Sequence, residues 1–117
     1  MQLDLKLNVK PLSANKMYWR GKRRKTAEYR DYQSQMEDQL ITTSWPFGEH
    51  MVGFSVTAGL SNRAADLDNI IKPVLDTFQT IFDDFNDNKV YHIELHKEIV
   101  PKGDEYLEVT VRKMDDE

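Results

Sequence analysis

No cysteine occurs among the 117 residues. Disulfide frameworks, thiolate nucleophiles and Cys-based zinc or iron-sulfur sites are thereby excluded, and a reducing, cytoplasmic location is expected. No apolar run approaches the roughly 18 residues that a membrane span requires. Met1 leads into an alternating segment instead of a basic stretch followed by an apolar one, so no membrane partner is expected. Glycine is scarce, at five residues, and none is grouped into a phosphate-cradling loop. No serine stands in a nucleophile elbow either, which argues against nucleotide hydrolysis and acyl transfer. The length suits a single domain, residues 1–117, with one modest core.

The formal net charge of -4 hides an asymmetry. Residues 1–30 hold nine Lys and Arg against Asp4 and Glu28, a net +7, while the remaining 87 residues hold seven basic and eighteen acidic side chains, a net -11. The basic charge is densest at Lys16, Arg20, Lys22, Arg23, Arg24 and Lys25, with Tyr18 and Trp19 among them. Cations can hold phosphates while rings stack on unpaired bases, so these eight residues are candidate DNA contacts. The plainer alternative is a solvated basic loop.

Leu3, Leu5, Leu7 and Val9 alternate with Asp4, Lys6, Asn8 and Lys10, which predicts a half-buried strand over 2–10. Pro11 ends it, and the basic segment 11–25 has no apolar period and reads as a loop or arm. Thr26 can cap a helix running to about Thr43, with Tyr29, Tyr32, Met36 and Leu40 as its apolar stripe. Val52, Phe54, Val56, Ala58 and Leu60 mark a second strand. Ile70, Ile71, Val74, Leu75, Phe78, Ile81 and Phe82 share one side of a helix over 69–82. Pro73 inside it requires either an irregular first turn or a start at Pro73 itself. A third strand at 91–99 and a fourth at 107–112 follow, joined by Pro101, Lys102, Gly103 and Asp104 as a hairpin, with a frayed tail from Met114. The order is βαβαββ, an α+β fold with a mixed four-stranded sheet and two helices.

Asp66 and Asp68 flank Leu67. On an extended backbone residues two apart project to one side, so the pair would form a compact oxygen site for Mg²⁺ or Mn²⁺. Such an ion reverses the local sign, activates water and clamps phosphodiester oxygens. The alternative use of either side chain is as a helix cap.

The stretch ADLDNIIKPVLD from Ala65 to Asp76, with NDNKV from Asn86 to Val90, resembles the RusA family of phage-type Holliday-junction endonucleases. The segment PLSANKMYW from Pro11 to Trp19 is similar to that family's Pro-x-x-Asn-x-x-Tyr segment. The resemblance implies a RusA-like fold in which Asp66, Asp68 and Asp87 are metal-binding catalytic carboxylates and Lys72 is the accompanying active-site lysine. Asp83 and Asp84 are rivals for the third position. It further implies a homodimer, encoded by a phage or its bacterial host, that nicks two strands of a four-way DNA junction symmetrically with a divalent metal, in recombination and repair. A helix of fourteen residues would be about 20 Å long, so Asp87 must either fold back to the pair or meet it from a partner subunit.

His92, Glu94 and His96 share a strand face, but three in-line residues on a flat strand do not converge readily on one zinc ion. The acidic loop from Asp83 fails the calcium-loop pattern at Phe85 and Lys89. The competing functional reading is a non-catalytic junction- or single-strand-binding module in which the basic arm supplies all affinity.

Overall fold

The computed structural model describes residues 1–20 and 23–114. Lys22 of the basic segment, and residues 115–117 of the expected frayed tail, lie outside the described residues. The alternating N-terminal leucines form β1, Gln2–Leu7, shorter than the pattern predicts. The ladder stops because a side chain takes over its backbone groups: the Asn8 N–H donates to Gln39 Oε1 at 2.7 Å, and Gln39 Nε2 donates to the Asn8 carbonyl at 3.1 Å. Gln39 belongs to α1, Ala27–Leu40. Thr26 caps that helix as expected, its Oγ1 accepting from the Tyr29 N–H at 3.1 Å. The four stripe residues Tyr29, Tyr32, Met36 and Leu40 are all buried. The helix closes at Leu40, whose carbonyl accepts the Thr43 N–H at 2.9 Å, so the chain turns three residues before the expected end.

The strand β2, Val52–Leu60, is followed by α2, Asp68–Ile81, and by β3, Val90–Ile99. The helix begins before Pro73, which lies inside it. Its first turn is tightened, with the Asn69 and Ile70 N–H groups bonding three residues back to Asp66 and Leu67. The irregular-start expectation therefore holds, and the start at Pro73 does not occur.

The last strand, β4, Tyr106–Lys113, corrects one expectation. It forms no hairpin with β3. The sheet order is β1-β4-β2-β3, with β4 antiparallel to both β1 and β2, and with β2 and β3 parallel across the α2 crossover. The reason lies in β2, which is buried on both faces over most of its length and so takes an interior position with a partner on each edge. Its second face is closed by small residues under larger neighbours. The Tyr106 ring lies directly over Gly59, where a Cβ would collide with it.

Both helices cover one sheet face. Leu7, Phe54, Val56, Val109 and Val111 meet Tyr32, Met36, Val74 and Phe78 in a single core. One end of this core is aromatic: Trp45 lies 5.6 Å from Phe82 and 4.6 Å from Phe85, and Phe54 lies 5.7 Å from Phe78. These rings pin the turn after α2 to the end of the sheet where β2 and β3 begin. Among the described residues no helix is long and apolar enough to cross a membrane.

Candidate metal and DNA-binding site

The loop from Ser61 to Leu67 carries the chain from the end of β2 to the start of α2. Asn62 shapes it by accepting the Ala64 N–H on Oδ1 at 2.9 Å, and Lys97 braces it by donating to the Arg63 carbonyl at 3.1 Å. Leu67 is then already helical, with φ -62 and ψ -37, and Asp68 opens the helix. The expected extended backbone around Asp66 and Asp68 is thus absent, because the chain turns into the helix one residue early. The two carboxylates project from a helical turn instead of one face of a strand.

Neither carboxylate caps the helix, since the N-cap position is Leu67 and no side chain bonds there. Both are exposed, and no described residue pairs or hydrogen-bonds with either side chain. Both are hard oxygen donors, unused by the fold among the described residues, which is the donor chemistry a divalent cation such as Mg²⁺ takes, but on a helical turn side chains two residues apart diverge by about 200° instead of sharing one side.

Asp87 is placed elsewhere. It opens a short 3-10 turn, Asp87–Lys89, that leads directly into β3. Asp66 and Asp68 lie at the end of the parallel pair where Leu60 faces Ile99, whereas Asp87 lies at the end where Val52 faces Val90. Folding back within the chain does not occur, and the rivals Asp83 and Asp84 stand on the same far side. Among the described residues no three His, Cys, Asp or Glu side chains gather as a metal-ligand group. Asp66 and Asp68 fit a hard cation in kind, and among the described residues no third carboxylate joins them from the same chain.

Lys72 is one helical turn beyond Asp68, yet its ammonium turns the other way and pairs with Asp76 at 3.2 Å. Asp76 went unassigned in the sequence, although its four-residue spacing from Lys72 was the available signal. The side chain of Lys72 is 61% exposed, so this pair is weak and exchangeable. Asp76 also acts on Tyr29: burial first, then the Tyr18 phenol and the Asp76 carboxylate, push the Tyr29 phenol up to about 12.

The basic segment is more ordered than its lack of period suggests. Leu12 and Met17 are core residues, a 3-10 turn forms at Ala14–Lys16, and that turn packs on α2. Tyr18 bridges to Lys25, and the Trp19 N–H donates to the Arg24 carbonyl at 2.9 Å. The arm is therefore a short antiparallel finger with Arg20 and Arg23 near its tip. Lys16, Arg20, Arg23 and Arg24 are exposed, as are Tyr18 at 42% and Trp19 at 56%. Lys25 has a structural duty, with its ammonium over the Tyr29 ring at 5.3 Å and donating to Gln33 Oε1 at 2.8 Å. Beside the arm a cleft of about 360 Å³ opens toward Ala65, lined by Lys10, Lys16, Asp31, Tyr32, Asn62 and Glu105 among others. His92 and His96 lie elsewhere, on the open sheet face. Glu94 stands between His92 at 3.1 Å and His96 at 3.7 Å, and the His92 hydrogen bond holds its carboxyl below the ordinary range.

Comparison of the chain with protein-family models and with curated proteins gives no match.

Proposed function

We propose that the chain is a RusA-type, Mg²⁺-dependent endonuclease that acts as a homodimer and resolves four-way DNA junctions by phosphodiester hydrolysis. One observation carries this reading. Asp66 and Asp68 are exposed carboxylates with no partner among the described residues, at the start of a helix on which the first turn of a basic, aromatic finger packs. A carboxylate pair alone would repel DNA, and a cationic finger alone would bind it without chemistry. Their adjacency joins the two.

In this reading Asp66 and Asp68 hold the divalent ion, Mg²⁺ or Mn²⁺, which supplies Lewis-acid polarisation of the phosphate and a lowered pKa for bound water. Lys72 exchanges Asp76 for the scissile phosphate, an exchange made easy by the exposure of its side chain, which leaves the Asp76 pair weak. Lys16, Arg20, Arg23 and Arg24 neutralise backbone phosphates, and Trp19 offers an exposed ring to bases unpaired at the branch point. The third carboxylate comes from Asp87 of a second copy of the chain, since the Asp87 of the same chain lies at the other end of α2.

The test is incubation of the protein with a synthetic four-way junction and a matched linear duplex, in Mg²⁺ and in EDTA. Paired symmetric nicks near the branch, in Mg²⁺ only, are expected. Tight junction binding with no cleavage in Mg²⁺ or Mn²⁺ would replace the nuclease reading with the non-catalytic binding module.

A further inference from the structure

At the edge of the sheet β3 is, among the described residues, hydrogen-bonded only to β2, which leaves ten residues of strand with one row of backbone donors and acceptors open. Natural edges of this length are protected by charge, bulges or a covering element, because an open edge is a template for another strand. Here a bulge disturbs only the first residues, between Val52 and Gly53 of the partner strand. The one edge lysine, Lys97, is folded back onto the Arg63 carbonyl at 3.1 Å. The strand also exposes more apolar surface than its neighbours: Tyr91 is 65% exposed, Ile93 42% and Ile99 39%.

The residues of β3 are complementary to themselves when the strand is reversed. Ile93, Leu95, Lys97 and Ile99 lie on the helix-covered face, opposite Phe54, Val56, Ala58 and Leu60 of β2, and His92, Glu94, His96 and Glu98 lie on the open face. In an antiparallel pair of two copies with Leu95 on the two-fold axis, His92 faces Glu98 and Glu94 faces His96. On the other face Leu95 meets itself, and Ile93 meets Lys97. Moving the axis by one residue to Glu94 sets that carboxylate against its own copy. Moving it to His96 opposes Glu94 to Glu98. Directly opposed like charges destabilise a sheet and opposed unlike groups stabilise it, so the sequence selects the Leu95 register from the three.

We infer that the free edge of β3 binds a second copy of this chain, antiparallel about a two-fold axis through Leu95, giving one continuous eight-stranded sheet with all four helices on the same side. This deepens the homodimer in the functional reading and rests on it. The reversed strand also carries the Asp87 end of each copy toward the end at which the other copy holds Asp66 and Asp68.

The absence of native cysteine makes the register directly testable. Across an antiparallel pair, opposed Cα atoms are about 4.5–5.5 Å apart, within the span of a disulfide. Leu95→Cys under mild oxidation is expected to give a covalent dimer as the main species, and Ile93→Cys, which would face Lys97, is expected to stay uncrosslinked. A mixture of Glu94→Cys and His96→Cys, both at exposed positions that leave the core untouched, is expected to crosslink between the two variants and not within either. A monomer by light scattering overturns the inference, as does a stable dimer in which Leu95→Cys and the mixture fail to crosslink. Junction cleavage by the cysteine-free chain is read separately. Cleavage without crosslinks removes this interface and leaves the nuclease reading intact, whereas crosslinks in a chain that never cuts leave the interface and remove that reading.

Discussion

The backbone N–H of Asp87 donates to Oε1 of Gln79 at 2.8 Å, tying the turn after α2 to the last turn of the helix it has just left. Phe82 and Phe85, buried against Trp45, hold the same turn from the core side. Asp87 is therefore fixed at the far end of a fourteen-residue helix from Asp68, a distance of about 20 Å along its axis. No rotamer change spans that.

The first prediction follows from this separation. A mixture of Asp68→Asn and Asp87→Asn subunits forms heterodimers in which one site combines Asp66 and Asp68 of the second variant with Asp87 of the first, all intact. Each variant alone should be inactive, and the re-equilibrated equal mixture should recover about a quarter of wild-type nicking, from one good site in half of the dimers. A mixture as inactive as its components would show that the sites are not shared.

A second prediction concerns the finger. Thr26 Oγ1 donates to the Lys16 carbonyl at 2.6 Å while accepting from the Tyr29 N–H at 3.1 Å, so one hydroxyl joins the base of the finger to the first turn of α1. Thr26→Ala should cost about 1 kcal/mol in urea unfolding, as the loss of an N-cap. Junction affinity should fall with it, because the Lys16 turn loses its anchor. Thr26→Ser keeps both bonds and should restore both properties.

A third prediction is an alkaline limit. Burial, followed by the Tyr18 phenol and the Asp76 carboxylate, pushes Tyr29 up to about 12, and burial, followed by Tyr29, pushes the Tyr32 phenol up as well. Both groups keep their protons in the folded state at a pH where the unfolded chain, with phenols near 10, begins to release them. Their contribution is fully present below about pH 10 and is lost as the pH rises toward 12. The urea midpoint should hold steady from pH 8 to 9.5 and fall steeply above 10. Tyr29→Phe should fall less steeply over the same interval, and an equal slope would remove Tyr29 from the account.

The elements of this fold were legible in the sequence because each carries a clear period. The Tyr29, Tyr32, Met36 and Leu40 stripe, the Val52 to Leu60 alternation and the Ile70 to Ile81 wheel all appear at their expected places. Pairing was less legible. Pro101 to Asp104 looks like a hairpin turn, and Asp104 N–H does bond the Pro101 carbonyl at 3.0 Å, yet β4 passes to the far side of β2. Local turn chemistry cannot register that β2, with small residues on its second face, needs a neighbour on both edges. At the site, residue types were visible and backbone state was not. The aspartates suggested an extended triplet, but Leu67 is helical, and Lys72 was assigned to chemistry without its partner Asp76. Leu12 and Met17 were missed as core because they belong to a segment without periodicity.

The most direct test compares wild type with Asp68→Asn on one labelled four-way junction, measuring binding in EDTA and cleavage in Mg²⁺. This substitution keeps the side chain's shape and removes its charge at an exposed position with no partner among the described residues. The account predicts junction binding equal to or tighter than wild type, with cleavage reduced by roughly 100-fold or more, at least the upper range for losing an outer partner of a bound metal. Cleavage by Asp68→Asn at the wild-type rate, or a wild-type protein that never cuts in Mg²⁺, would contradict it.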